Sequence, residues 1–278
     1  MHTWEGFAGL KIAGDAWGNP EGPLVLLLHG GGQTRHAWKG TGEILGNAGY
    51  FAVAFDARGH GDSEWSPDRI YGPDAMVSDL QCLTKALGKE RPVLVGASMG
   101  GVTSLIAAGE GHVQASALVL VDIGPRLEVE GVDKIQAFMA DKPEGFESLD
   151  EVADAISRFQ PHRARPRNLD GLAKNVRLGA DGKFRWHWDP AGRMARRSMS
   201  ERENRLNACA RNLDLPTLLV RGGLSDVLSE EGAQHFLELC PHSEYVNVTG
   251  AAHMVAGDRN DIFGTSVVDF LRRTVVSA

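Results

Sequence analysis

Ser98 lies in Gly96-Ala97-Ser98-Met99-Gly100-Gly101, directly after the apolar run Pro92-Val93-Leu94-Val95. A serine hydroxyl is a weak nucleophile unless the backbone presents it and a base activates it. A sharp strand-to-helix turn does the first, with glycines where the chain crosses itself closely. The same turn places backbone N–H groups at a helix N-terminus, where they can stabilise a developing oxyanion. His253 is the candidate base, in the small-residue loop Thr249-Gly250-Ala251-Ala252-His253-Met254 that follows the last strand-like run. It can take the serine proton and return it to a leaving group. The histidine needs an orienting carboxylate. Asp226, in Arg221-Gly222-Gly223-Leu224-Ser225-Asp226, is favoured because its loop is long enough to aim it inward; its bland role is a helix N-cap. Asp122 is the competitor, since it also ends a strand and could reach the same histidine from the neighbouring strand end.

Ligands of an open parallel sheet bind at the carboxyl ends of its strands, so these residues need strands to carry them. The apolar runs 24–28, 51–55, 93–96 and 117–121 read as strands buried on both faces. Helical patterns over 34–48, 73–87 and 99–109 separate them, several ending at glycine. The rhythm resumes with a strand at 216–221, a helix at 229–239, a strand at 244–248 and a last helix at 260–275. Residues 7–17 read as an early strand or strand pair. This alternation predicts an α/β fold, a doubly wound parallel sheet with right-handed crossovers and helices on both faces. Between about Arg126 and Asn212 no strong apolar strand run appears, and helical patterns dominate at 132–139, 149–159 and 169–177. An insertion of that length predicts a helical cap, 126–212, on a core built from 1–125 and 213–278.

The 278 residues, 42% hydrophobic and 23% charged, can bury a sizeable core. A net charge of -7 argues against a nucleic-acid or membrane-surface partner. No apolar stretch is long enough to span a bilayer, and the first residues lack the basic-then-apolar pattern of a signal peptide. Cys82, Cys209 and Cys240 are scattered and unpaired in spacing, which predicts free thiols in a reducing cytoplasm. No metal-ligand spacing is present, so neither metal nor organic cofactor is expected, and the expected partner is a small-molecule substrate. Oligomeric state is not written in any pattern of this chain.

Leu28-His29-Gly30-Gly31-Gly32, the stretch Asp56-Ala57-Arg58-Gly59-His60-Gly61-Asp62-Ser63, the Ser98 turn and Gly250-Ala251-Ala252-His253-Met254 resemble the signature blocks of the α/β-hydrolase fold superfamily. The order nucleophile, acid, histidine is also that family's. The resemblance implies an eight-stranded, mostly parallel sheet with the cap inserted after the sixth strand. It also implies an oxyanion hole from the Met99 amide and one amide of the glycine loop, for which Gly31 is preferred to Gly32. The block holding Asp56, Arg58 and His60 is implied to be structural, with Arg58 and Asp62 paired. In the insertion, Trp186-His187-Trp188 either lines the pocket or packs cap on core. Gly32, Trp186 and Trp188 are the expected substrate contacts.

Epoxide hydrolases and haloalkane dehalogenases of this fold use an aspartate nucleophile, whereas position 98 is serine. Epoxide hydrolases also need cap tyrosines, and Tyr50, Tyr71 and Tyr245 all fall outside 126–212. What remains is attack of an activated serine on a carbonyl, with a small carboxylic ester or lactone as the leading substrate. Carbon–carbon bond hydrolysis, cofactor-free haloperoxidase or perhydrolase chemistry, and acyl transfer share the same framework. A ligand receptor or a cofactor-free dioxygenase is disfavoured by the complete Ser, His and Asp set.

Overall fold

Ten strands and nine α-helices are present among the residues described by the computed structural model, 1–165, 169–192 and 199–275. The strands are β1 (His2–Glu5), β2 (Lys11–Trp17), β3 (Leu24–Leu28), β4 (Phe51–Phe55), β5 (Val93–Ala97), β6 (Ala117–Val121), β7 (Val176–Leu178), β8 (Phe184–Trp186), β9 (Thr217–Gly222) and β10 (Glu244–Val248). The helices are α1 (Lys39–Asn47), α2 (Pro73–Ala86), α3 (Met99–Gly109), α4 (Val129–Ala140), α5 (Leu149–Phe159), α6 (Met199–Arg211), α7 (Glu230–Leu239), α8 (Val255–Asp258) and α9 (Asn260–Thr274). No helix among the described residues is long and apolar enough to cross a membrane.

Eight strands form one sheet in the order β1-β2-β4-β3-β5-β6-β9-β10. β1 and β2 join antiparallel, and every pairing from β4 to β10 is parallel. This is the doubly wound sheet that the strand–helix alternation predicts. β3 and β6 are buried at every position, as strands covered on both faces must be. Alternate side chains feed two cores. Leu26, Leu94, Leu118 and Leu120 pack with Leu80 of α2, Leu105 of α3 and Phe236 of α7. Leu27, Val95 and Val119 pack with Leu45 of α1 and with Phe263, Val267 and Phe270 of α9.

The segment 126–212 differs from a purely helical cap. α5 spans the expected 149–159, but the helix expected over 169–177 is a 3-10 turn, Asp170–Asn175, that runs into β7. β7 pairs antiparallel with β8, Val176 opposite Trp186 and Leu178 opposite Phe184. Asp181-Gly182 closes this hairpin, with Gly182 at φ 79°, so a turn signal outweighs the helical pattern. α6, in the same segment, packs on the core. Its Leu206, Cys209 and Ala210 join the core against α3, where a Cβ on Gly109 would come within 2.5 Å of the Cys209 carbonyl oxygen. At the N-terminus, 7–17 divides into a 3-10 turn and β2, and the expected helix at 34–48 begins as a 3-10 turn, Arg35–Trp38.

Arg58 is not paired with Asp62. Its guanidinium meets both oxygens of Asp79 on α2, at 2.6 and 2.7 Å, and both side chains are buried. Asp62 instead takes Arg35 at 2.8 Å, and Arg35 also holds Asp56 and Asp15. Removing one member of a buried pair leaves the other charge uncompensated. Asp79→Ala is therefore expected to lower unfolding stability by about 3–5 kcal/mol, read by urea denaturation. A loss within about 0.5 kcal/mol, typical of a surface change, would contradict a bracing role for this pair.

Candidate active site

The turn after β5 is built by close approach. A Cβ on Gly96 would lie 2.4 Å from the Gly100 carbonyl oxygen, and one on Gly100 would lie 2.3 Å from the Leu28 carbonyl oxygen. Only hydrogen fits there, so α3 starts hard against β3 and β5. Ser98 absorbs the turn with φ 48° and ψ -111°. Such backbone costs on the order of 1–3 kcal/mol and persists only where its surroundings enforce it. Asp122, directly after β6, is also left-handed, at φ 51°.

Asp122 is fully buried. Its carboxylate accepts the Gly222 amide at 2.8 Å, the Ser225 hydroxyl, and His253 Nδ1 at 2.6 Å. Asp226, the carboxylate favoured on loop length, is not at this histidine. It is half exposed and paired with Lys134 of α4 at 2.7 Å. The loop after β9 turns Ser225 inward and Asp226 outward. The backbone of Asp226 packs under α4, where a Cβ on Gly131 would reach its carbonyl oxygen at 2.0 Å. The Ser225 hydroxyl was missed by sequence reasoning, although it neighbours the residue chosen.

Ser98 and His253 line one cavity of about 520 Å³, together with Gly30, Gly31 and Gly32. In the glycine loop the Gly30 amide donates to Gln33 Oε1 at 2.9 Å, and the Gly32 amide faces His60 Nε2 at 3.4 Å. Among the described hydrogen bonds the Gly31 and Met99 amides donate to no protein acceptor. Trp186 of β8 lines the cavity. Trp188 does not; it stacks on Trp186 at 4.9 Å, donates to the Met139 carbonyl at 3.2 Å and packs against Gly32.

The segment 186–189 also bonds to the loop after β4. The Asp189 amide donates to the Gly59 carbonyl at 2.8 Å, the Tyr71 hydroxyl donates to Asp189, and the Gly61 amide donates to His187 Nδ1 at 2.9 Å. His187 thereby joins a row of buried rings, His29–His60 at 5.2 Å and His60–His187 at 5.9 Å. Each ring accepts a backbone amide on one nitrogen, which requires that nitrogen unprotonated. Burial pushes all three pKa values down, His60 to about 3 and His187 to about 2, and the neighbouring rings push His60 and His187 further. Among the described residues no three His, Cys, Asp or Glu side chains are grouped to hold a metal ion.

The alpha/beta hydrolase fold family model matches residues 23–259. The chain belongs to that family. An esterase of Mycobacterium tuberculosis is 27% identical to this alpha/beta hydrolase over 249 residues, 87% of this chain and 80% of that protein. A 3-hydroxybutyrate-oligomer hydrolase of Cupriavidus necator is 30% identical over 262 residues, 88% of each. Among solved structures, that of an E-2-(acetamidomethylene)succinate hydrolase superposes with a TM-score of 0.82 at 23% identity, covering 97% of this chain and 98% of that one.

The histidine row gives this hydrolase an acid-side weakness. All three rings are neutral in the fold, whereas the unfolded chain protonates them near 6.5. Their contribution to stability is complete above that value and is lost as pH falls toward the depressed folded-state values. The slope approaches about 1.4 kcal/mol per pH unit for each histidine. His187→Gln is expected to flatten the decline between about pH 6 and pH 4 by one histidine's share, measured by urea unfolding across pH. An unchanged slope would show that His187 does not contribute.

Proposed function

We propose that this alpha/beta hydrolase is a serine hydrolase of small carboxylic esters or lactones, acting through an acyl-enzyme on Ser98. The observation that carries this reading is the 2.6 Å contact between His253 Nδ1 and the buried Asp122, with His253 lining the same cavity as Ser98. The relative from Mycobacterium tuberculosis is named an esterase, which supports the same class of bond. Asp122 accepts a hydrogen bond from Nδ1–H of His253 and so fixes the tautomer that leaves Nε2 free as base. Nε2 takes the Ser98 hydroxyl proton as Oγ bonds to the carbonyl carbon, and the carbonyl π electrons move to its oxygen. The Gly31 and Met99 amides, with no protein acceptor of their own, receive that oxyanion. Collapse of the tetrahedral intermediate breaks the bond to the alcohol oxygen, which takes the proton back from His253. Water then repeats the sequence on the acyl-Ser98 ester and releases the acid.

A fluorophosphonate probe is expected to modify Ser98 in the folded protein, seen by mass spectrometry. Ser98→Ala is expected to abolish both the labelling and the hydrolysis of a short nitrophenyl ester without lowering the unfolding temperature. Unlabelled folded wild-type protein would sink the reading. The choice of carboxylate is tested by two asparagine variants. Asp122→Asn is expected to lower kcat by about 10²–10⁴, because it favours the wrong histidine tautomer. Asp226→Asn removes only an exposed ion pair and is expected to stay within about twofold. The reverse ranking would return the role to Asp226.

A further inference from the structure

Asp122 holds the ring of His253, but a side chain starts from wherever its backbone is placed. The main chain of His253 takes part in no hydrogen bond among those described. Its placement is therefore set by the residues on either side. Before it, the Leu224 amide donates to the Ala251 carbonyl at 2.8 Å, and a Cβ on Gly222 would lie 2.2 Å from the Ala252 carbonyl oxygen. The end of β9 thus presses on the loop. After it, α8 turns the chain back, with the Gly257 and Asp258 amides both donating to the Met254 carbonyl at 2.9 Å.

Asp258, the last residue of α8, closes this loop. One of its carboxylate oxygens accepts the amide of Ala252, the residue before His253, at 2.9 Å. The other accepts Arg163 Nε at 2.5 Å, and His162 Nε2 lies 3.2 Å from the same oxygen. The Asp258 side chain is 4% exposed, so its charge has to be met by such donors. Burial raises its pKa, but the Ala252 amide and the Arg163 guanidinium outweigh it and hold the carboxyl below its ordinary value. Two further contacts tie the same segments. A Cβ on Gly257 would lie 2.6 Å from Arg163 Nη2, and Gln160 Nε2 meets Met254 Sδ. Residues 160–163, directly after α5, therefore meet the chain around His253 at Met254, Gly257 and Asp258.

We propose that Asp258 is a positioning residue for His253, and that Arg163, on the segment between β6 and β9, holds the Asp258 carboxylate in the orientation this requires. Two carboxylates then share one histidine: Asp122 takes its ring, and Asp258 takes the backbone beside it. That His253 acts as a base rests on the serine-hydrolase reading; its placement by Asp258 rests on these contacts alone.

The test reads the histidine directly and needs no turnover. Nδ1–H of His253, hydrogen-bonded to Asp122, gives a far-downfield proton NMR signal, assigned by its loss in His253→Gln. Asp258→Asn keeps the shape but turns one acceptor into a donor. The Ala252 amide and Arg163 both donate, so one contact is lost whichever way the amide faces. In the folded variant the signal is expected to shift or broaden. A role in stability alone would lower the unfolding temperature and leave the signal of folded protein in place. With a short nitrophenyl ester, kcat is expected to fall by at least about tenfold, since a displaced group can cost about 10²-fold, while KM stays within about threefold. Arg163→Met leaves Asp258 in place without its cation and is expected to move the signal in the same way. Arg163→Lys returns a cationic donor and is expected to bring the signal back toward the wild-type position. Signal and kcat unchanged in folded Asp258→Asn overturn the proposal. Should that variant not fold, an unchanged signal in Arg163→Met overturns it. Equal displacement in Arg163→Met and Arg163→Lys overturns the role given to Arg163. Fluorophosphonate labelling of the wild-type protein judges the hydrolase reading separately. Labelling of Ser98 with an unmoved signal keeps that reading and sinks the positioning role. A signal that moves in protein that is never labelled does the opposite.

Discussion

The Asp122 carboxylate, fully buried, has to be met by donors, and the site is organised around that requirement. The Gly222 amide comes from the end of β9, the Ser225 hydroxyl from the loop behind it, and His253 from the loop after β10. Three parts of the chain are drawn to one carboxylate at the end of β6. Losing any of these donors would leave charge unsatisfied in a medium where that is expensive, so the constellation holds together as a unit. The left-handed backbone of Asp122 is part of the same device, because it turns the side chain off the strand axis toward the histidine.

Steric exclusion performs the matching task at Ser98. Gly96 and Gly100 allow β3, β5 and α3 to meet without side chains between them, and that contact fixes where the serine points. The loop after β3 crosses beside the turn, where the Gly100 amide donates to the His29 carbonyl at 3.1 Å. The glycine-loop amides and the serine therefore share one rigid frame. The segment holding β7 and β8 attaches to this frame. His187 and Asp189 hydrogen-bond to the backbone of Gly61 and Gly59, in a block whose own arginine is buried on Asp79. Arg163 reaches the core from the other side through Asp258. The residues between β6 and β9 and the loops around Ser98 are thus joined at two separated points, at Gly59 and Gly61 and at Asp258.

Much of this was legible in the chain because it depends on local rules. Continuous apolar runs announce strands buried on both faces, and the sheet followed them closely at β3, β4, β5 and β6. The Ser98 turn is readable because its glycines are demanded by close approach. The Asp181-Gly182 hairpin was equally readable, yet the helical pattern of the preceding residues masked it. Arg58 shows the opposite case. Its sequence neighbour Asp62 looks like a natural partner, but the partner is Asp79, 21 residues away on α2, which only packing brings near.

The sequence by itself determined the strands of the sheet, the serine turn after β5, the glycine loop after β3 and the place of His253 after the last strand, since each follows from periodicity or from backbone geometry within a few residues. Tertiary structure alone decided which carboxylate meets His253. Asp122 and Asp226 both follow strands, and the choice turns on a single residue of phase in the loop after β9, which sends Ser225 inward and leaves Asp226 to Lys134. It also decided that α6 belongs to the core and that Trp188 backs Trp186 without lining the cavity.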